Sequence, residues 1–163
     1  MENIRVIVYG IGEIGSTLAR FVLTKPGLEL VGALDRAPEK VGRDLGEVLG
    51  LRRRLGMEVS GNPEILFPTA RAHSVLHATT SRLEEVYPQL AMAVEHGLAV
   101  ISTCEELVYP WLSQPSLAEE LDRLAKRQGV AVLGTGINPG FLMDTLPILL
   151  TAVCQEVRQI RVY

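Results

Sequence analysis

At 163 residues the chain has room for one domain with a substantial core, and 47% hydrophobic with 21% charged residues is the composition of a globular protein, not a disordered or fibrous one. A formal net charge of -3 leaves no basic excess to neutralise a phosphate backbone, which argues against a nucleic-acid partner. Cys104 and Cys154 lie outside any C-x-x-C or Cys/His cluster, so neither a disulfide framework nor a metal site is suggested.

No apolar run reaches membrane-spanning length, and the first residues lack the basic, apolar and cleavage regions of a leader. No membrane partner and a cytoplasmic address are expected. The chain begins with a β-branched apolar run, residues 4–9, suited to a strand buried on both faces of a parallel sheet. It runs into Gly10-Ile11-Gly12-Glu13-Ile14-Gly15 and then a helical stretch. A strand that turns through G-x-G-x-x-G into a helix gathers backbone N–H groups and the positive end of a helix dipole, which suits a pyrophosphate. Gly10 serves the tight turn, Gly12 the approach of the phosphates, and Gly15 the packing of helix on strand.

A second apolar run, 28–34, completes a βαβ unit and ends in Asp35, where this pattern sets an acid to accept from the adenosine ribose hydroxyls. A solvated turn aspartate is the alternative. Arg36 and Lys40 follow directly and could hold the 2′-phosphate of NADP, whereas the Asp35 charge opposes it. NAD is expected and NADP is possible; loop charges facing water are the competing reading. Arg52-Arg53-Arg54 reads as a solvated face.

Residues 47–55 suggest a short helix, 57–60 a short strand and 61–63 a turn. The run from Ser74 reads as a buried strand turning polar at its end, with Thr79, Thr80 and Ser81 capping a helix that Gly97 stops. His77, inside that strand, reads as a satisfied core histidine before a general base. The next strand, 98–102, ends in Thr103-Cys104-Glu105-Glu106, a second place for chemistry. Ser116 and Glu119 have capping-box spacing before another helix. Strand 130–133 leads into Gly134-Thr135-Gly136-Ile137-Asn138-Pro139-Gly140-Phe141, whose backbone could approach a flat ring. Residues 143–153 read as helix.

Strands alternating with helices predict an α/β, Rossmann-type doubly wound parallel sheet of about six strands over residues 1–155. Residues 157–163 alternate polar and apolar like a half-exposed strand, so 156–163 are expected to start a further domain for substrate or oligomerisation.

Four stretches carry a resemblance: Val8-Tyr9-Gly10-Ile11-Gly12 with Gly15, Val41 to Gly46, Ile101 to Leu107, and Gly134 to Phe141 with Asp144. On these the chain resembles the dihydrodipicolinate-reductase-like superfamily, and within it the 2,4-diaminopentanoate dehydrogenases and related NAD(P)-dependent amine dehydrogenases. The resemblance covers the whole chain but only the N-terminal half of such an enzyme. It implies oxidative deamination of an amine or diamine, or the reverse, with NAD or NADP as cofactor. Glu105 first, or Glu106, would bind ammonia or the substrate amine and manage its protons, one of the pair facing the cleft. Asn138, Pro139 and Gly140 would border the nicotinamide, and Thr79, Thr80 and Ser81 the ribose or phosphates. A homo-oligomer through the C-terminal region is expected. The histidine pair, lysine and Ser-Gly-Thr stretch of the namesake reductases do not occur in this sequence, so either they lie in a missing half or the substrate is different; the Glu105-Glu106 and Asn138-Pro139-Gly140 stretches favour the amine branch. An imine or semialdehyde reductase and a non-catalytic NAD(P)-binding regulatory module are the alternatives. A pure sensor has no need of Glu105.

Overall fold

The computed structural model describes residues 2–161. Six strands, β1 (Ile4–Tyr9), β2 (Leu28–Leu34), β3 (Val59–Ser60), β4 (Ser74–His77), β5 (Ala99–Ser102) and β6 (Val132–Gly134), form one sheet in the order β3-β2-β1-β4-β5-β6. Every pairing between these strands is parallel, which agrees with the apolar runs of β1 and β2. The chain winds outward from β1 to β3, then crosses back to lay β4 on the other side of β1. Such a reversal opens a crevice at the carboxyl ends of the strands.

Those ends are level. Ser60, Leu34, Tyr9, His77, Ser102 and Gly134 stand opposite one another across the sheet. The glycine turn, Asp35, Thr79 and the Glu105 stretch all follow within a few residues of that row, so each is delivered to one edge.

Helices cover both faces. On one, α1 (Glu13–Thr24) and α2 (Leu45–Val48) bury Ala19, Val22 and Leu45 against Val6, Val8 and Ala33. On the other, α3 (Pro63–Thr69), α4 (Leu83–Glu95) and α6 (Pro115–Gln128) bury Phe67, Val86, Leu90 and Leu121 against Ile7, Val75 and Val100. Two short helices, α5 (Pro110–Ser113) and α7 (Leu146–Thr151), complete the chain. Coverage of the α1 face runs out across the sheet. In the register row Val8, Leu76, Ile101, Leu133, the β1 residue is sealed, whereas Ile101 is 40% and Leu133 53% exposed. Helix α7 buries none of its residues. No helix of the described residues is long and apolar enough to cross a membrane.

Several local expectations are corrected. The helix foreseen at 47–55 is α2, shorter and earlier, because Asp44 caps it by accepting from the Gly46 N–H and glycines with positive φ follow at 50 and 56. The strand foreseen at 57–60 is parallel to β2 only at Val59 and Ser60; Met57 and Val59 instead bond the loop at Leu45 and Arg43. Pro63, read as a turn residue, opens α3, with Asn62 as its cap. Thr79, Thr80 and Ser81 do not cap α4; Arg82 is its N-cap position, and the Glu106 carboxylate accepts the Leu83 N–H at 2.8 Å. The Ser116/Glu119 box does not form, because Gln114 and Pro115 start α6 before Ser116 is reached. Helix α7 is shorter than 143–153. Residues 157–161 form no strand, and Val162 and Tyr163 lie outside the described residues.

Candidate functional site

Two clefts meet on the strand-end edge and share Ala78, Thr79 and Thr80. The first, of about 230 Å³, is bordered by Gly10, Gly12, Asp35, Arg36 and Lys40 on one side and by Glu85 and Gln89 of α4 on the other. The turn that builds it needs its glycines for two different reasons. Gly10 has φ +91°, and a Cβ there would run into the Ala78 carbonyl; a Cβ on Gly15 would overlap the Gly10 carbonyl. Gly12 is crowded by nothing within 4 Å, so the chain's own packing does not require it to be glycine. What it leaves is an open approach to the start of α1, which no side chain caps. Uncapped N–H groups at a helix start are the donors an anionic diphosphate needs.

Asp35 is built into this turn. Its Oδ2 accepts the Ile11 N–H at 2.8 Å, its Oδ1 the Ala37 N–H at 2.8 Å, and Lys40 Nζ reaches Oδ2 at 3.1 Å while donating to the Ile11 carbonyl at 2.8 Å. Burial alone would raise the Asp35 carboxyl, but the Ala37 amide, Lys40 and the Ile11 amide outweigh it and hold it below the ordinary carboxylate value. Arg36 stands exposed at the cleft mouth.

The second cleft, of about 530 Å³, runs from Ile14, Thr17 and Leu18 of α1 to Thr103, Glu105 and the stretch Gly136, Ile137, Asn138, Pro139. The Asn138-Pro139 peptide is cis and Gly140 has φ +123°, its N–H donating to Asp144 Oδ2 at 2.9 Å. Mostly apolar walls with a few polar groups suit a flat, weakly polar ring.

The two glutamates divide. Glu105 is exposed and borders the second cleft, whereas Glu106 is turned to the start of α4, bonded to Leu83. Among the other expected site residues, Ile14, Thr79, Thr80, Ser81, Asn138 and Pro139 border one or both clefts; Ile11, Glu13, Gly15 and Gly140 border neither. His77 is sealed and bonded at both ring nitrogens, to Ser102 at 2.8 Å and to Gln89 and Thr79 at 2.8 and 2.9 Å, and burial holds it below its ordinary pKa. Burial likewise raises the Cys104 thiol. Among the described residues no group of three or more His, Cys, Asp or Glu side chains is gathered to hold a metal ion.

Gln89 and Tyr9 are among the cleft residues that were not foreseen. Gln89 shares the inward face of α4 with Val86, Leu90 and Ala93, and a polar residue on an apolar helix face was a readable signal. Tyr9, half-buried at the end of β1, gave none.

Comparison with known proteins follows the same residues. The family described as "Dihydrodipicolinate reductase, N-terminus" matches residues 4–105. The chain is 40% identical over 161 residues to 2,4-diaminopentanoate dehydrogenase of Acetoanaerobium sticklandii, covering 98% of this chain and 45% of that protein. It is 30% identical over 165 residues to an amine dehydrogenase of Streptomyces virginiae, covering 94% of this chain and 46% of that one. The solved amine dehydrogenase of Mycobacterium smegmatis superposes with a TM-score of 0.86 at 38% identity, over 93% of this chain and 44% of its own. The chain thus spans about half the length of the curated relatives it matches. Since the family match runs from the first residue of β1 through the glycine turn and Asp35 as far as Glu105, the chain belongs to the dihydrodipicolinate reductase N-terminal family.

Proposed function

We propose that this chain is the dinucleotide-binding half of an NAD(P)-dependent oxidoreductase acting on the CH–NH2 group of an amine or diamine. The observation that carries the reading is the pair of clefts joined at Thr79, with an open Gly12 and a clamped Asp35 at one end and Glu105 at the other. The relatives, a 2,4-diaminopentanoate dehydrogenase and amine dehydrogenases, support the substrate class.

A bound nicotinamide dinucleotide supplies the capacity to accept or return hydride. The chain's own part is to hold and to orient. Asp35, Arg36 and Lys40 take the adenosine end, and the start of α1 faces the diphosphate. Because Lys40 neutralises Asp35 and Arg36 stands beside it, the charge at the 2′ position supports acceptance of both NAD and NADP. Ile14, Asn138 and Pro139 border the ring. Glu105 holds a substrate ammonium by charge and hydrogen bond and takes a proton from it; Glu106, committed to α4, leaves this role to its neighbour.

The uncovered row from Leu76 to Leu133 and the exposed α7 support a further 156-onward domain packing here, with assembly into a homo-oligomer through the same region. Cytoplasmic residence belongs to the same reading. The test is titration of the chain with NADH and with NADPH by nicotinamide fluorescence. After the chain is joined to the second half of a relative, assays on amines, diamines and cyclic imines follow. Saturable binding and amine turnover are expected. Failure of both dinucleotides to bind, or turnover on cyclic imines alone, would overturn the reading.

A further inference from the structure

His77 closes β4 with its ring sealed from solvent and packed edge-on against Tyr9, the centroids 5.5 Å apart. The chemistry proposed above makes no use of it. Its hydrogen bonds nevertheless fix where one cleft proton points. Ser102 Oγ accepts the Cys104 N–H at 3.1 Å, and among the described residues the one acceptor within reach of its own buried proton is His77 Nδ1 at 2.8 Å, so the serine hydroxyl donates and Nδ1 accepts. The ring proton then sits on Nε2, facing Gln89 Oε1 at 2.8 Å and Thr79 Oγ1 at 2.9 Å. Thr79 Oγ1 in turn donates to Gln89 Oε1 at 3.0 Å. With its single hydrogen directed at Gln89, the Thr79 hydroxyl has only lone pairs to offer the cleft.

We infer that His77 is a positioning residue that, with Gln89, sets Thr79 as an acceptor at the junction of the two clefts, where it receives the hydrogen bond of a ribose hydroxyl on the nicotinamide side of a bound dinucleotide. This rests on the dinucleotide reading above. An oxygen that can only accept attracts a hydroxyl and repels an ionised phosphate oxygen, so it selects the ribose over the diphosphate. Thr79 borders both clefts, which is where a dinucleotide lying across them passes from its diphosphate to its second sugar.

The test compares NADH, which carries that ribose, with ADP, which lacks it. Thr79→Val should weaken NADH by about tenfold, the worth of one hydrogen bond, and leave ADP within about twofold. His77→Phe, which keeps the ring shape against Tyr9, should reproduce that split, and the double variant should be no weaker than either single one. His77→Gln, whose amide reaches the Nε2 position, should recover most of the NADH affinity. If His77→Phe does not fold, Gln89→Leu tests the same link from the half-exposed side. Equal losses for ADP and NADH, or additive losses in the double variant, would reduce His77 to a packing residue and overturn the inference. No binding of either ligand by the unaltered chain would overturn the dinucleotide reading and this inference with it. Binding of both without a split in the variants would overturn the inference alone.

Discussion

The two ends of the crevice are built differently. At the β1–β2 end both carboxylates are tied down: Asp35 meets two backbone amides and Lys40, Asp44 accepts three backbone N–H groups, and α1 and α2 seal the sheet. At the β5–β6 end the sheet is bare on one face, the wall from Ile137 to Pro139 is largely exposed and α7 covers nothing. The first end is self-sufficient, because its site is also its fold. The second holds the residue assigned to chemistry and leaves apolar surface for something else to cover, which fits a chain about half as long as its relatives.

The largest effect should come from the closed end. Gly15→Ala drives a methyl into the Gly10 carbonyl, a backbone group with no flexible end to yield, and should cost about 3 kcal/mol or more in denaturant unfolding. Gly12→Ala, three residues away with open space around it, should shift stability by no more than about 0.5 kcal/mol while weakening NADH binding strongly. Equal stability losses would mean that Gly12 serves packing and not a ligand.

At the open end Glu105→Gln, assayed with the second half of a relative supplied, should lower amine turnover by about a hundredfold or more and leave NADH affinity unchanged. Glu106→Gln should do the opposite, with turnover largely kept and unfolding easier by about 1 kcal/mol through the weakened contact with Leu83. Interchanged results would reverse the assignment. Between the ends in magnitude stands Lys40→Met, which removes the cation beside Asp35 and should weaken NADPH by about tenfold while sparing NADH. A loss confined to NADH would show that Lys40 acts only through the shape of the turn.

The closed end was legible in the sequence because its signals are local. The glycine spacing, the apolar runs and Asp35 follow from short-range sterics and period, and the sheet order follows from strand and helix alternation. The open end was legible in its residues and not in its geometry. That Glu106 faces α4 depends on a contact with Leu83, 23 positions away, and no spacing rule reports it. Arg82 took the cap position expected of Ser81 for the same reason: a distant carboxylate satisfied the helix start. The 47–60 segment misled because Asp44, buried and bonded to Gly46, Leu55 and Gly56, replaces regular structure with a side-chain hub.

Acid should probe the junction between the ends. Burial keeps His77 neutral in the folded chain and below its ordinary value of 6.5, so the unfolded chain takes up a proton first as pH falls. The stability tied to neutral His77 is therefore whole above about pH 6.5 and declines below it. Asp35, held below its ordinary 3.8, keeps its contribution above that value and loses it only in a later, more acidic window. Thermal unfolding followed from about pH 7.5 to about pH 5 should show falling stability that His77→Gln flattens. An unchanged slope in the variant would assign the titration elsewhere.

The smallest effect is the most direct test of the asymmetry. Leu133 and Ile148 are large apolar residues, yet 53% and 70% exposed, so Leu133→Ser and Ile148→Ser remove little buried area from this chain. Each should change its stability by no more than about 0.5 kcal/mol and improve its solubility. Val8→Ser, in the same register row as Leu133 but sealed under α1, should cost about 2 kcal/mol or more, since it both opens a void and buries a hydroxyl. Once the second half is joined, the two exposed positions should acquire a cost of their own. If they stay neutral there, the bare face is not where that half packs.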